Sequence, residues 1–206
     1  MNFPTQLTVL RIILTPLFFV VLFIDGFTCK LVSFIIFVIA SLTDWYDGYF
    51  AKKLGVVSKW GKFLDPLADK ILVSAAFIAF YFLGYVRLWI VLVIIIRDFL
   101  ITGLRSYALH KEKPVVTSQL ARVKTFLQMG SVYVVYFFLL FDHLAIENGT
   151  QFAFINFLKN IQFINRLMLV VVFLTVYTAI KYFIENRDHL YSIIKSCYRA
   201  ISPSDL

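Results

Sequence analysis

Six apolar stretches, each about as long as a bilayer-spanning helix and joined by short connections, constrain this chain more than any other feature. A spanning helix needs roughly 20 mostly apolar residues, and residues 7–24, 31–51, 62–83, 86–109, 121–141 and 163–184 each supply such a window. Of 206 residues, 61% are hydrophobic and only 16% charged, too few polar groups to cover a soluble globule of this size. The expectation is an all-α integral membrane protein, a bundle of about six transmembrane helices forming one domain over residues 1–206. The same numbers exclude a disordered chain, a secreted disulfide scaffold and a nucleic-acid module.

In a membrane protein an excess of Lys and Arg marks cytoplasmic loops. The net charge of +8 is concentrated accordingly: Lys52, Lys53, Lys59 and Lys62 follow the second window, and Lys111, Lys113, Arg122 and Lys124 follow the fourth. The remaining connections carry one basic residue each (Lys30, Arg87, Lys159), so both termini are expected to be cytoplasmic. The first window has no basic stretch before it and reads as a retained helix, not a cleaved signal. Cys29 and Cys197 are expected on opposite membrane faces and hence unpaired. The long connection 142–162, with Phe152, Phe154, Phe157 and Ile161, reads as a segment lying at the outer interface. Residues 186–206 read as an interfacial amphipathic tail. Pro16 and Pro66 are tolerated kinks, Arg11 reads as a snorkelling side chain, and the 23 Phe residues read as lipid-facing bulk.

Ionisable groups inside spans cost about 2.5–3.5 kcal/mol each on insertion scales, so each asks for a reason. Asp44 and Asp47 close the second window one helical turn apart; Gly61, Asp65 and Asp69 open the third at four-residue spacing. Each set therefore lines one helix face. A short turn between the helices brings the four carboxylates together, where they repel unless cations neutralise them. Hard oxygen ligands without His or Cys suit two Mg²⁺ ions, or Mn²⁺, rather than zinc. A pair of such ions is the usual clamp for phosphoryl transfer, which implies a phosphoanhydride substrate. Gly48, Ala51 and Gly61 leave room beside the carboxylates for a nucleotide, although close helix packing explains small residues equally well.

Together, Asp44-x-x-Asp47-Gly48-x-x-Ala51-Lys52, eight residues, then Gly61-x-x-x-Asp65-x-x-x-Asp69, resemble the signature of the CDP-alcohol phosphotransferase family. Seven of the eight positions match; Lys52 stands where the family has Arg. The resemblance extends to Asn2-Phe-Pro-Thr5 through Arg11, to Arg97-Asp98 and Arg105, and to Arg122-Val-Lys124-Thr. It implies that Asp44, Asp47 and Asp65 bind metal, that Asp69 is both ligand and general base, and that Gly48, Ala51 and Gly61 border CDP, with Asn2 and Thr5 near the nucleotide. Lys52 keeps the phosphate charge but loses the planar fork of arginine. CDP-diacylglycerol in a bacterial cytoplasmic membrane is the implied donor, with a homodimer as the implied assembly.

Arg97, Arg105, Arg122 and Lys124 form a cationic group that a phosphate-bearing acceptor would explain, and glycerol 3-phosphate fits best. The plainer readings are positive-inside anchoring for Arg122 and Lys124, and pairing with Asp98 or head groups for Arg97 and Arg105. Asp98 itself, next in sequence to Arg97, is expected to point elsewhere. Serine, inositol phosphate or phosphatidylglycerol as acceptor, and a small cation transporter, are the competing readings. The absence of a repeated broken-helix pattern weighs against the transporter.

Overall fold

A computed structural model describes residues 3–54, 59–110, 119–149 and 153–187; for 3–5, 44–54, 59–66, 107–110, 119–122 and 153–154 it describes the backbone alone. Asn2 and the tail from residue 188 onward, including Cys197, lie outside the described residues.

The described chain is all helical: α1 (Phe3–Phe23), α2 (Phe27–Leu54), α3 (Lys59–Phe82), α4 (Leu88–His110), α5 (Gln119–Glu147), α6 (Ala153–Asn160) and α7 (Phe163–Glu185). The six long helices follow the six apolar windows. They overrun them where polar residues find partners, α5 reaching Glu147 because Asp142 and Glu147 are both engaged by other elements. Among the described residues, three helices are long and apolar enough to cross a membrane, Gln6–Phe23, Val123–Glu147 and Phe163–Glu185; Phe27–Thr43 is a shorter apolar helix. The charged residues of α4 and the polar start of α3 set those helices apart from the three.

Successive long helices run antiparallel. α1 packs on α2 and α3, α5 on α7 and α2, and α4 on α3 and α7. The core is aromatic. Tyr136 on α5 is fully buried among Phe34 and Phe37 of α2 and Phe80 of α3, with ring centroids 5.1–5.4 Å apart. Its hydroxyl sits 3.3 Å from that of Ser33, which donates to the Phe18 carbonyl at 2.9 Å. Phe18, Phe37, Phe77 and Phe80 are all buried, so part of the phenylalanine content is interior packing and not lipid-facing bulk. Four helices meeting around one ring plane favour large, rigid side chains in edge-to-face pairs. Outward-facing apolar residues such as Val20, Phe126, Phe173 and Ile184 complete the surface expected toward lipid.

Arg11 is fully buried, so it does not snorkel to an interface. It stands on α1, the helix that packs on α2 and α3.

The end of the bundle formed by the α1–α2, α3–α4 and α5–α6 connections is tied by polar contacts. Gly26 turns the chain at φ +104°, a conformation that strains any other residue. The next backbone N–H, Phe27, donates to Glu147 Oε1 at 2.6 Å, so a carboxylate 120 residues away caps α2. Lys30 is buried and donates from Nζ to the Leu22 carbonyl at 2.6 Å, satisfying the last turn of α1. Asp142 accepts from Lys159 of α6 and, at 3.2 Å, from the Tyr85 hydroxyl. Burial and the Asp142 charge together raise the Tyr85 phenol above its ordinary value, keeping it a donor. The 142–162 connection is thus shorter than its sequence suggests: α5 uses its first third and α6 packs Ile155 inward while exposing Phe157.

Candidate active site at the opposite end of the bundle

Antiparallel succession sorts the candidate residues. The start of α1, the end of α2, the start of α3, the end of α4, the start of α5 and the end of α7 all lie at the end away from Gly26 and α6. Thr5, Asp44, Asp47, Gly48, Ala51, Lys52, Gly61, Asp65, Asp69, Arg97, Arg105, Arg122 and Lys124 all belong to those segments. For Thr5, Asp44, Asp47, Gly48, Ala51, Lys52, Gly61, Asp65 and Arg122 the side chains lie outside the description, and what is known is their place on a helix.

The register between α2 and α3 follows from the core. Phe37 and Phe80 both pack on Tyr136, and ten residues further toward this end along each helix stand Asp47 on α2 and Lys70 on α3, with Asp44 one turn before Asp47 and Asp69 next to Lys70. Asp69 is largely enclosed, its side chain 22% exposed, and Oδ2 accepts from Lys70 Nζ at 2.6 Å. The cation that meets this carboxylate is its neighbour in sequence. A donor set made of carboxylates alone fits a hard divalent ion by its chemistry. Among the described residues no cluster of three metal-ligating side chains occurs.

The cationic group is organised around an acid. Asp98 on α4, 2% exposed, is the centre of a buried cluster. Lys124, on α5 and equally buried, donates to its Oδ1, and Gln128, one turn further along α5, donates from Nε2 to its Oδ2 at 2.9 Å. Arg97 bends back so that Nη1 reaches Asp98 Oδ1 at 3.3 Å, while Nη2 donates to Thr178 of α7 at 2.9 Å. The expectation that Asp98 points away from Arg97 is therefore corrected. Adjacent Cβ atoms diverge on a helix, but an arginine side chain is long enough to wrap around to its neighbour. The Lys70 ammonium lies within electrostatic reach of Asp98 and Lys124, which links the cluster to Asp69. Arg105, two turns beyond Arg97, is exposed at the same end, and both arginines act electrostatically on Tyr182 of α7.

The structure thus brings Arg97 and Lys124 together through Asp98, with Arg105 beyond them at the outer edge. Lys124 meets Asp98 inside the bundle and is not at a loop surface, so loop anchoring does not explain it. Gln128 and Thr178 were missed. The available signal for Gln128 was its position one turn after Lys124, the spacing that puts two polar groups on one face. Thr178 carried no signal, since Thr is ordinary in a membrane helix.

The CDP-alcohol phosphatidyltransferase pattern matches residues 1–177, most of the chain. The chain belongs to that family. As a CDP-alcohol phosphatidyltransferase it is a transferase, and Asp44, Asp47, Asp65 and Asp69 fall on α2 and α3. Among curated relatives, a Bacillus subtilis (strain 168) protein is 36% identical over 201 residues, covering 92% of this chain and 97% of that one. Proteins of Rickettsia felis and Rickettsia bellii are 31% and 32% identical over 182 residues, each covering 88% of this chain and 93% of theirs. All three relatives bear the name CDP-diacylglycerol–glycerol-3-phosphate 3-phosphatidyltransferase.

Proposed function

We propose that this CDP-alcohol phosphatidyltransferase transfers the phosphatidyl group of CDP-diacylglycerol to glycerol 3-phosphate, forming phosphatidylglycerophosphate and releasing CMP. The observation that carries the reading is the full-length similarity to relatives of that name. A cationic cluster at the same bundle end as the aspartates supports a phosphorylated acceptor.

Asp44, Asp47, Asp65 and Asp69 are the residues that would hold two Mg²⁺ or Mn²⁺ ions. Bound there, the ions would supply positive charge to the anhydride phosphates. Gly48, Ala51 and Gly61 leave space for the cytidine end of the donor, Lys52 offers its ammonium to a phosphate, and Asn2 and Thr5 border the nucleotide. Asp69 takes the proton of the acceptor's primary hydroxyl. The freed oxygen forms a bond to the lipid-linked phosphorus as the bond from that phosphorus to CMP breaks, and CMP leaves with its electron pair. Arg97, Arg105 and Arg122 hold the acceptor phosphate by charge, and Lys124 contributes by neutralising Asp98, which would otherwise repel it.

This chemistry needs access to water-soluble glycerol 3-phosphate and to a lipid at once, which suits carboxylates near helix ends. We accordingly read all six long helices as spanning, with both termini and the active site on the cytoplasmic face of the inner membrane. Lys52 and Lys53 at the end of α2, Lys59 and Lys62 at the start of α3, and Arg122 and Lys124 at the start of α5 belong to the same helix ends as the aspartates, which supports that orientation. The tail over 186–206 is read as an interfacial helix on that face, residues 1–206 as one domain, and the assembly as a homodimer.

The test is CMP release by purified protein given CDP-diacylglycerol, Mg²⁺ and, separately, glycerol 3-phosphate, serine, inositol phosphate or phosphatidylglycerol. Release confined to glycerol 3-phosphate is expected. Release with a different acceptor alone would overturn the acceptor assignment, and no release from folded protein would overturn the reading as a whole.

A further inference from the structure

Among the described residues, two polar atoms in the Asp98 cluster have no hydrogen-bond partner. An ionised carboxylate can only accept hydrogen bonds. The bond from Gln128 to Asp98 Oδ2 therefore fixes the amide: its NH₂ faces Asp98 and its carbonyl Oε1 faces away. That oxygen is buried without a donor, in a residue 3% exposed. Arg97 is held on the other carboxylate oxygen through Nη1 and on Thr178 through Nη2, which leaves its Nε–H, also buried and without an acceptor. Buried polar atoms are rarely left unpaired in native proteins. Here an orphan acceptor and an orphan donor belong to side chains seated on opposite oxygens of one carboxylate, with Lys70 joining that carboxylate electrostatically to the side of Asp69.

A ligand that completes both atoms brings a hydroxyl hydrogen to Gln128 Oε1 and an anionic oxygen to Arg97 Nε. An alcohol that carries both a phosphate and a second hydroxyl offers both groups. On the reading of glycerol 3-phosphate as acceptor, we propose that Gln128 determines acceptor specificity: Oε1 accepts a hydrogen bond from the secondary, non-reacting hydroxyl, and Arg97 Nε–H donates to the phosphate. Asp98 touches neither group and is a positioning residue that dictates which way the amide and the guanidinium face. The primary hydroxyl is left to Asp69.

The experiment uses the full chain in detergent–lipid micelles with CDP-diacylglycerol and Mg²⁺, comparing glycerol 3-phosphate with 3-hydroxypropyl phosphate, which lacks only the secondary hydroxyl. In the wild type, loss of that hydroxyl is expected to lower kcat/KM about tenfold or more, the worth of a buried hydrogen bond left unmade. Gln128→Leu is expected to raise the KM for glycerol 3-phosphate about tenfold and to treat the two acceptors alike within about twofold, with the KM for CDP-diacylglycerol unmoved. Asp98→Asn no longer dictates the amide orientation and is expected to weaken the same discrimination, a readout that a purely structural role would leave intact. Equal use of both acceptors by the wild type would overturn the proposal even if Gln128→Leu fails to fold, and would mean that water fills the two orphan positions. Wild-type discrimination surviving in Gln128→Leu would overturn it as well. No turnover of glycerol 3-phosphate by the wild type would overturn the acceptor reading beneath it, a failure distinct from turnover without discrimination.

Discussion

Replacing Asp98 by leucine tests whether the buried cluster holds the bundle together. The substitution leaves the Lys124 ammonium, 2% exposed, without its carboxylate and Gln128 without the acceptor for its NH₂. Removing one partner of a buried ion pair costs about 3–5 kcal/mol, because the remaining charge is desolvated with nothing in return. Arg97 loses less, since Thr178 still accepts from it. A net loss of about 4 kcal/mol corresponds to a drop in Tm of about 10 °C for a chain of this size. Thermal unfolding of the purified protein in detergent, followed by tryptophan fluorescence, measures it. The decisive control is Asp98→Leu combined with Lys124→Met, which removes both charges and fills the space with apolar atoms. It is expected to recover most of the lost stability while remaining poor in turnover. A Tm within about 2 °C of wild type for Asp98→Leu, or a double variant no more stable than the single one, would refute the reasoning.

Asp69→Asn should abolish CMP release while leaving Tm close to wild type, since the amide is isosteric and its oxygen can still accept from Lys70; measurable turnover would remove Asp69 as the base. Arg105→Ala should raise the KM for glycerol 3-phosphate several-fold with little change in kcat, and an unchanged KM would take Arg105 out of acceptor binding. Chelation with EDTA should stop CMP release and added Mg²⁺ or Mn²⁺ should restore it, whereas full activity in chelator would contradict the metal assignment of the four aspartates. Glu147→Ala uncaps α2 at the far end and should lower stability by about 1 kcal/mol without altering acceptor or donor KM, as steady-state kinetics alongside a melting curve will show.

The helical class and the place of the long helices were legible because hydrophobic run length is a local property. The expectation that Asp44 and Asp47 meet Asp65 and Asp69 rests on equally local reasoning, helix periodicity and a short turn, and the structure places the two pairs on α2 and α3. What local pattern does not carry is partnership across distance. Glu147 capping Phe27, and Lys124 and Gln128 seated on Asp98, join residues 120, 26 and 30 positions apart. Arg11 illustrates the same limit: an arginine near a helix end looks like a snorkelling anchor until its neighbours are known, and here they enclose it. Phenylalanine has a related ambiguity. An outward face toward lipid and an inward face toward Tyr136 ask for the same apolar residue, so periodicity that separates core from water does not separate core from bilayer.

The adjacency of Arg97 and Asp98 also bears on biosynthesis. α4 is made before α5, so when Asp98 first leaves the ribosome neither Lys124 nor Gln128 exists. A lone carboxylate would then meet the insertion machinery as an uncompensated charge. The preceding residue supplies the counter-ion, and the contact between Arg97 and Asp98 lies within one helix, so it can form as soon as that helix does. On the reading of α4 as a spanning helix, this contact would balance the charge of the nascent segment before α5 brings Lys124 and Gln128 to the carboxylate. Arg97→Leu should therefore lower the yield of inserted protein in a pulse-labelling experiment more than Lys124→Met does.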